Sequence, residues 1–269
     1  MRRQLLLILI LTAATISAQD FVYEGRWHEN ILTVRWGAIT QYDEYLTPLK
    51  YKGQFLALQN EWWQPFAVSN DWQHVGKLKL QGARTYNPTY SNLIYALGVH
   101  GGWGVHYDFH RLINLQGLNL FVGSYIDFDL FAKELINNVN KPYSADAAVE
   151  LRLHAGISYG FAAKNTSYRL RYTMMTGFLG VQFVPEYGQS YYEITEGIIG
   201  GTVGLSSLHN KMDIRHELTI DMQFRRSAWR IGVEHEYINN SMNGLGFQRE
   251  QVSLIVGTLF NYKTAIRRL

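Results

Sequence analysis

The strongest constraint on the fold is the segment 212–225, in which apolar and polar side chains alternate with a period of two. The apolar face carries Met212, Ile214, Leu218, Ile220, Met222 and Phe224, together with the polar His216. The opposite face carries Asp213, Arg215, Glu217, Thr219, Asp221, Gln223 and Arg225. A helix would spread both sets around its circumference, whereas a β-strand points successive side chains to opposite faces. The segment therefore predicts a strand with one apolar face and one charged face.

Similar alternation recurs along the chain and predicts an all-β protein. We predict ten strands, at 31–40, 53–64, 74–85, 92–109, 116–130, 145–160, 166–183, 211–225, 228–238 and 248–262. Bacterial single-chain membrane barrels have an even number of antiparallel strands, and ten fits that rule. Residues 197–208 could hold another hairpin, which would bring the number to twelve.

The alternation alone does not say whether the apolar face points into a core or out to lipid. Three features favour a transmembrane antiparallel up-and-down β-barrel over a soluble periplasmic β-protein. The polar faces carry many charges of both signs, and the last strand alternates up to Phe260, although nine residues follow it. Aromatic residues also lie near predicted strand ends, as in the interfacial girdles of membrane barrels. These are Trp62, Trp63, Trp72, Trp103, Tyr107 and Trp229.

The first residues predict export. Arg2 and Arg3 precede an apolar run at 5–11, and Ser17-Ala18 offers a cleavage site. The run is shorter than the ~20 residues of a membrane-spanning helix, which argues against an uncleaved anchor. We predict a signal peptide at 1–18, a barrel at 19–262 and a short periplasmic tail at 263–269, with the protein in the outer membrane.

Composition excludes several classes of function. The chain has no cysteine, which removes disulfides, thiolate metal sites and cysteine nucleophiles. Its net charge of +3 gives no reason to expect a nucleic-acid partner. We expect no cofactor and no metal. His100, His106 and Asp108 share one face of a strand, but they spread over ~20 Å and cannot meet at one ion.

The connections predict the orientation of the barrel. The turns at 164–167 and 225–227 are tight, whereas 131–144, 184–210 and 239–247 read as longer polar loops. Membrane barrels of this kind have short periplasmic turns and longer outer loops. We therefore expect periplasmic termini and long loops outside.

The charged faces predict a filled lumen. The side chains expected to point inward are Arg35, Lys77, Lys79, Asp108, Asp127, Asp129, Glu150, Arg152, Arg169, Arg171, Asp213, Arg215, Glu217, Asp221, Arg225, Arg230, Glu234 and Glu236. A ten-stranded barrel is narrow, and opposite charges inside it should pair, because an unpaired buried charge costs several kcal/mol. The interior is expected to be a salt-bridged plug, with a narrow channel as an alternative.

The predicted outer loops hold the candidate functional residues. Those expected to bind a surface glycan or lipid headgroup, unless they only pack the loops, are Tyr187, Tyr191, Tyr192, Asn210, Asn239 and Asn240. A second hypothesis is a lipid-modifying hydrolase at the outer rim, with Ser190 as nucleophile, His209 as base and Glu193 or Asn210 orienting it. Barrels that cleave lipid acyl chains carry a His two residues before the Ser. Here His235 comes closest, but Tyr237 occupies the position of the Ser.

Much of the mature chain resembles a known family. The similar segments are 45–63, 137–161, 169–193, 204–224 and 230–257, and the most specific pieces are YGQSYYE (187–193) and LHN (208–210). They resemble a family of uncharacterised outer-membrane barrels of Bacteroidota, a domain of unknown function. The resemblance implies the architecture and the location, and it implies no activity. Outer-membrane lipid, periplasmic chaperones and the barrel-assembly machinery are the partners expected on this basis.

Overall fold

The computed structural model describes residues 27–66, 71–109, 117–137, 143–163, 166–186, 188–197, 200–225 and 227–263. These residues form eleven strands and one short helix. The strands are β1 (Trp27–Asp43), β2 (Thr47–Pro65), β3 (Trp72–Tyr86), β4 (Leu93–Asp108), β5 (Leu118–Leu135), β6 (Tyr143–Ala163), β7 (Thr166–Phe183), β8 (Val203–Ser207), β9 (Lys211–Gln223), β10 (Ala228–Met242) and β11 (Leu245–Lys263). The helix is α1 (Tyr191–Thr195). No helix in the described residues is long and apolar enough to cross a membrane.

Ten of the strands close into an antiparallel barrel. Consecutive strands of the ring pair with each other, β7 pairs with β9, and β11 returns to pair with the whole of β1 from Phe247 onward. The ten predicted strands are all present, and 166–183 has the predicted bounds. The predicted additional hairpin is a single strand, β8, which stands outside the ring and pairs only with β7.

The wall is irregular where β7 changes partner. Phe178 has no partner on β6, because Gly177 pairs with Arg152 and Leu179 pairs with Leu151, which marks a β-bulge. Before the bulge β7 pairs with β9, and after it β7 pairs with β8. We call the end of the barrel that carries β8 the loop end, and the end that carries Trp27 and Lys263 the termini end.

The barrel has its apolar face outside and its charged face inside. Leu56, Leu254 and Ile126 are between 57% and 60% exposed, whereas Arg152 and Asp213 are at most 1% exposed. This distribution is the inverse of that in a soluble barrel and matches a membrane barrel, whose outward band is apolar. The predicted fold class, a transmembrane antiparallel up-and-down barrel of about ten strands, is therefore confirmed.

Two predicted positions are wrong. The sequence predicts Trp63 in an outer girdle, but its side chain is buried in the lumen against Phe121 and His106. Trp62 and Trp63 are adjacent in a strand, so they must point to opposite faces. Arg225 is predicted inside the barrel, but it lies beyond the end of β9 and is exposed.

The predicted long loop at 239–247 is also wrong. β10 continues to Met242 and β11 begins at Leu245, so only Asn243 and Gly244 remain as a turn. Both have positive φ, of 56° and 71°, as a two-residue type I′ hairpin requires, and Asn-Gly is the favoured pair there. Strands β5 and β6 likewise extend into the predicted loop 131–144. The described connections therefore leave 184–202 as the long one at the loop end.

Candidate functional site

The lumen of the barrel contains a continuous set of ion pairs, which we call the lumen network. At the termini end, Arg169 contacts Glu29 at 2.5 Å and Asp221 at 2.8 Å. Arg230 donates to the same Asp221 through Nε, at 2.6 Å, and through Nη2, at 2.9 Å. These charges come from β1, β7, β9 and β10, so the network ties distant parts of the wall together.

Arg152 is the most enclosed cation at the middle of the barrel. It contacts three carboxylates, those of Asp127, Asp213 and Glu150, with Asp213 at 2.6 Å and Glu150 at 3.1 Å. A second guanidinium, that of Arg35, joins Glu217 at 2.9 Å and also contacts Glu234. Hydrogen-bonded ion pairs of this kind offset the cost of removing charged groups from water.

The network continues to the loop end. Arg249 joins Asp129 at 2.7 Å and Glu236 at 3.1 Å. Lys133 is fully buried, contacts Asp43 and reaches Asp146 at 2.7 Å. Opposite charges therefore alternate from one end of the described lumen to the other, as the sequence predicts.

Two small cavities lie inside this network, among the residues that the structure describes. A cavity of about 50 Å³ lies below the mouth at the loop end, and one of about 30 Å³ lies deeper, beside His100, Lys79 and Glu217. A water molecule needs about 10–15 Å³ of such a cavity. Each cavity therefore has room for a few water molecules, and the two share no lining residue.

The mouth cavity combines both signs of charge with neutral polar groups. Its lining includes Asp43, Asp129, Asp146, Lys211 and Arg249, and the neutral residues Tyr45, Ser144, Gln182 and Asn240. Ser144 donates to Asp43 at 2.8 Å, and Gln182 donates to Asn240 at 3.0 Å. Most of these groups are already paired with one another.

The described residues of 184–202, which we call the roof, lie over the mouth. The hydroxyl of Tyr45, in the β1–β2 turn, donates to the backbone oxygen of Gln189 at 2.8 Å. The ring of Tyr191 packs edge-on against Tyr45 at 5.6 Å, and its hydroxyl accepts from the backbone N–H of Ala145 at 2.5 Å. Because β1 and β6 lie on different sides of the barrel, these contacts hold the roof across the opening.

Burial raises the pKa of Tyr45 and that of Tyr191 to about 12. Both phenols therefore remain neutral at physiological pH. In that form each hydroxyl keeps its proton and can both donate and accept a hydrogen bond.

The predicted catalytic residues have separate local contacts. The side chain of Ser190 accepts from the N–H of Glu193 at 3.3 Å, and the carboxylate of Glu193 accepts from the N–H of Ser190 at 2.7 Å. This reciprocal arrangement is a capping box that begins α1. His209 lies in the β8–β9 turn and contacts the hydroxyl of Ser207. A Ser190–His209 pair would require both local arrangements to change, so the catalytic assignment stays a prediction.

The predicted binding residues divide by position. Tyr187 lies outside the described residues. Tyr191 holds the roof, and Asn210 accepts from the N–H of Ser207 at 2.9 Å in the β8–β9 turn. Asn239 faces outward and Asn240 faces the mouth cavity, because they are adjacent on β10. The structure therefore does not bring the described members of this set together at one site.

Several charged residues of the lumen were missed by the sequence reasoning. These are Glu29, Asp43, Glu61, Lys133, Lys211 and Arg249. Glu29, Asp43 and Lys133 lie beyond the predicted ends of their strands. The period of two, continued by a few residues at each strand end, predicts these three as inward charges.

The chain is similar in fold to several solved structures, all at low sequence identity. The chain is 10% identical to the transport unit of the autotransporter AIDA-I from Escherichia coli, covering 96% of this chain and 97% of that one, with a TM-score of 0.43. It is 8% identical to the translocator domain of NalP from Neisseria meningitidis, covering 94% of each, with a TM-score of 0.37. It is 9% identical to the toluene transporter TodX from P. putida, covering 91% of this chain and 92% of that one, with a TM-score of 0.32.

A family model matches almost the entire chain. No curated protein matches the chain significantly. The family described as "Protein of unknown function (DUF3316)" matches residues 4–265, which is nearly the whole chain. The chain belongs to this DUF3316 family.

Proposed function

We propose that this chain is an outer-membrane β-barrel that does not conduct and does not catalyse, and that it serves the envelope or binds a ligand at the cell surface. The observation that carries the proposal is a barrel with an apolar exterior and a lumen filled by paired charges. An apolar exterior suits contact with lipid, and a lumen whose described part is filled by paired charges does not suit a diffusion pore. The signal peptide, the Bacteroidota origin and the outward direction of the loop end stay predictions from the sequence.

The loop end supports a binding role in this proposal. Tyr90, in the β3–β4 turn, is 79% exposed, and Tyr192, in the roof, is 73% exposed. Exposed tyrosines offer a flat apolar ring and a hydroxyl, which suits contact with sugars or polar headgroups. With the loop end outside the cell, these side chains would face the surroundings.

A narrow channel is the second candidate function. The two cavities favour it, because both are polar and they lie at different depths of the same lumen. Between them, Arg215 lies 3.4 Å from Asp129 and 3.4 Å from Glu236, and those carboxylates also hold Arg249. A water path would require this layer to separate.

Planar-bilayer conductance distinguishes the two functions. The folded protein is expected to add no current steps to an empty membrane. In a second variant, a short Gly-Ser linker replaces residues 186–200. This variant is also expected to add no current steps, because the ion-paired layers below the roof remain. Insertion is confirmed separately, by recovering folded protein from the same vesicles.

Two results would contradict the proposal. Current steps from the wild-type protein would show an open path through the lumen. Steps that arise only after the roof is shortened would identify the roof as a gate and would favour the channel.

A further inference from the structure

Four polar side chains form a row on the outward surface of the barrel, which we call the lateral ladder. Its members are Tyr172 on β7, His216 on β9, His235 on β10 and Glu250 on β11. This row lies apart from the lumen and from the roof. A binding role for the row rests on the proposed membrane location, because the same surface would then face lipid.

The four side chains contact one another in sequence. The hydroxyl of Tyr172 lies 2.8 Å from Nδ1 of His216. The rings of His216 and His235 are nearly parallel, at 6°, with centroids 6.3 Å apart. Nε2 of His235 lies 3.4 Å from the Glu250 carboxylate. The ladder is thus a connected polar path across four adjacent strands.

The surroundings of the ladder are apolar. His216 pairs directly with Met174 on β7, and His235 pairs with Val252 on β11. Other outward neighbours are Leu218, Val233 and Leu254, all exposed. Polar and ionisable side chains in a lipid-facing band are costly, and a cluster of them there is a functional-site hypothesis.

The depth of the ladder limits what could bind it. Glu250 lies at the loop-end margin of the outward apolar run of β11, which continues as Val252, Leu254 and Val256. On β9, Met212 and Ile214 separate His216 from the loop end. The ladder therefore begins at the margin of the apolar band and extends into it. At this depth of a bilayer, the acyl chains are joined to the lipid headgroup.

Each imidazole has one ring nitrogen that faces no described partner. His216 uses Nδ1 for Tyr172, which leaves Nε2, and His235 uses Nε2 for Glu250, which leaves Nδ1. The carboxylate can only accept, so Nε2 of His235 is the donor in that bond. In the neutral imidazole Nδ1 is then an acceptor, and a ligand must offer it a hydrogen-bond donor.

We propose that the lateral ladder binds a membrane lipid whose acyl linkages carry hydrogen-bond donors, as amide N–H groups or acyl-chain hydroxyls do. The ester linkages of a glycerophospholipid offer acceptors alone, so they match Nδ1 of His235 poorly. The acyl chains of the bound lipid lie along Val233 and Leu254, beside the ladder. The ladder is thus a site for one class of lipid on the side of the barrel.

Competition between two lipids tests the proposal. The protein is folded into micelles that contain equal amounts of lipid A, which has amide-linked hydroxyacyl chains, and dimyristoyl phosphatidylcholine, which has no N–H or O–H donor. Native mass spectrometry then reports which lipid stays bound. The variants are His216→Leu/His235→Leu and Tyr172→Phe, and Ser124→Leu on the outward face of β5 is the control. Heat-modifiable migration in gels confirms folding of each.

The wild type is expected to retain lipid A preferentially. The double variant is expected to lower the ratio of bound lipid A to bound phosphatidylcholine about tenfold, the effect of losing the discriminating hydrogen bond at Nδ1 of His235. Tyr172→Phe should give a smaller loss in the same direction, and Ser124→Leu should give none.

Three results would overturn the proposal. The first is equal retention of both lipids by the wild type, and the second is an unchanged ratio in the double variant. The third is a wild-type dimer that the double variant dissociates, which would make the ladder a contact between copies. Failure of the wild type to fold into lipid would instead overturn the membrane location itself, together with the ladder site.

Discussion

Replacing Arg152 with alanine is expected to lower the free energy of unfolding by about 3–5 kcal/mol. Arg152 is fully buried and contacts the carboxylates of Asp127, Asp213 and Glu150. Its removal leaves three negative charges close together, with fewer cations to compensate their mutual repulsion. The cost of removing one partner is large because the remaining charge stays buried without compensation. Urea titration of the protein folded in phospholipid vesicles, followed by tryptophan fluorescence, measures the change.

Arg84→Ala is the matched control for Arg152→Ala. Arg84 is exposed on the outward face of β3, where its guanidinium lies 4.9 Å from the ring of Tyr86. An exposed contact of this kind contributes ~0.5–1 kcal/mol. If Arg152→Ala costs no more than Arg84→Ala, the lumen network does not stabilise the barrel. Arg152→Met, which keeps most of the side-chain volume, separates the loss of charge from the loss of packing.

Leu254→Arg is expected to cost about 2–4 kcal/mol when the barrel is folded in a bilayer. Leu254 is 57% exposed at the centre of the outward apolar run of β11, opposite Val233 and Trp36. In lipid, a charge at this depth is strongly unfavourable. In a soluble barrel, an exposed leucine could become arginine with a change of about 0.5 kcal/mol or less. Urea titration in vesicles distinguishes these two outcomes.

Gln248→Arg is the control for Leu254→Arg. Gln248 lies on the same strand and the same face, nearer the loop end, where it donates to the hydroxyl of Tyr237 at 3.2 Å. A charge near the membrane margin costs only ~0–1 kcal/mol. Equal costs at 248 and 254 would mean that β11 does not cross a hydrocarbon layer between these positions.

The positions and faces of the strands could be predicted from the sequence because a period of two is a local property. Each of the ten predicted strands exists, and most of the predicted inward charges are buried. The failures occur where the pattern is interrupted. At Trp62-Trp63 two adjacent tryptophans interrupt the alternation, so the inward position of Trp63 is not evident. The asparagines at 239–243 suggest a loop, but Asn243-Gly244 forms a tight hairpin turn.

Contacts between strands could not be predicted, because they depend on register. His106 on β4 and His154 on β6 both pair with Gly123 on β5, and their rings meet across that glycine at 2.8 Å. Alternation places both imidazoles inside the barrel but does not place them at one height. The lateral ladder is a similar case, because His216 interrupts an apolar face and its partners lie on three other strands.

The candidate site was the least predictable part. Ser190, Tyr191 and Glu193 fall within four residues of a polar loop, which suggests chemistry. In the structure their described contacts begin a short helix and fix the roof to the barrel. The Ser-x-x-Glu spacing of 190–193 is the sequence signature of a capping box, and that signal favours a helix start over a nucleophile.

Site-directed spin labelling along β9 tests the central claim most directly, and the absence of cysteine allows single labels without background. Labels at Leu218 and Ile220 are predicted to contact dissolved oxygen in the lipid and to be shielded from a water-soluble nickel complex. Labels at Thr219 and Gln223, which face the filled lumen, are predicted to be shielded from both. Nickel access at 218 and 220, or open aqueous access at 219 and 223, would contradict an inverted barrel with a closed lumen.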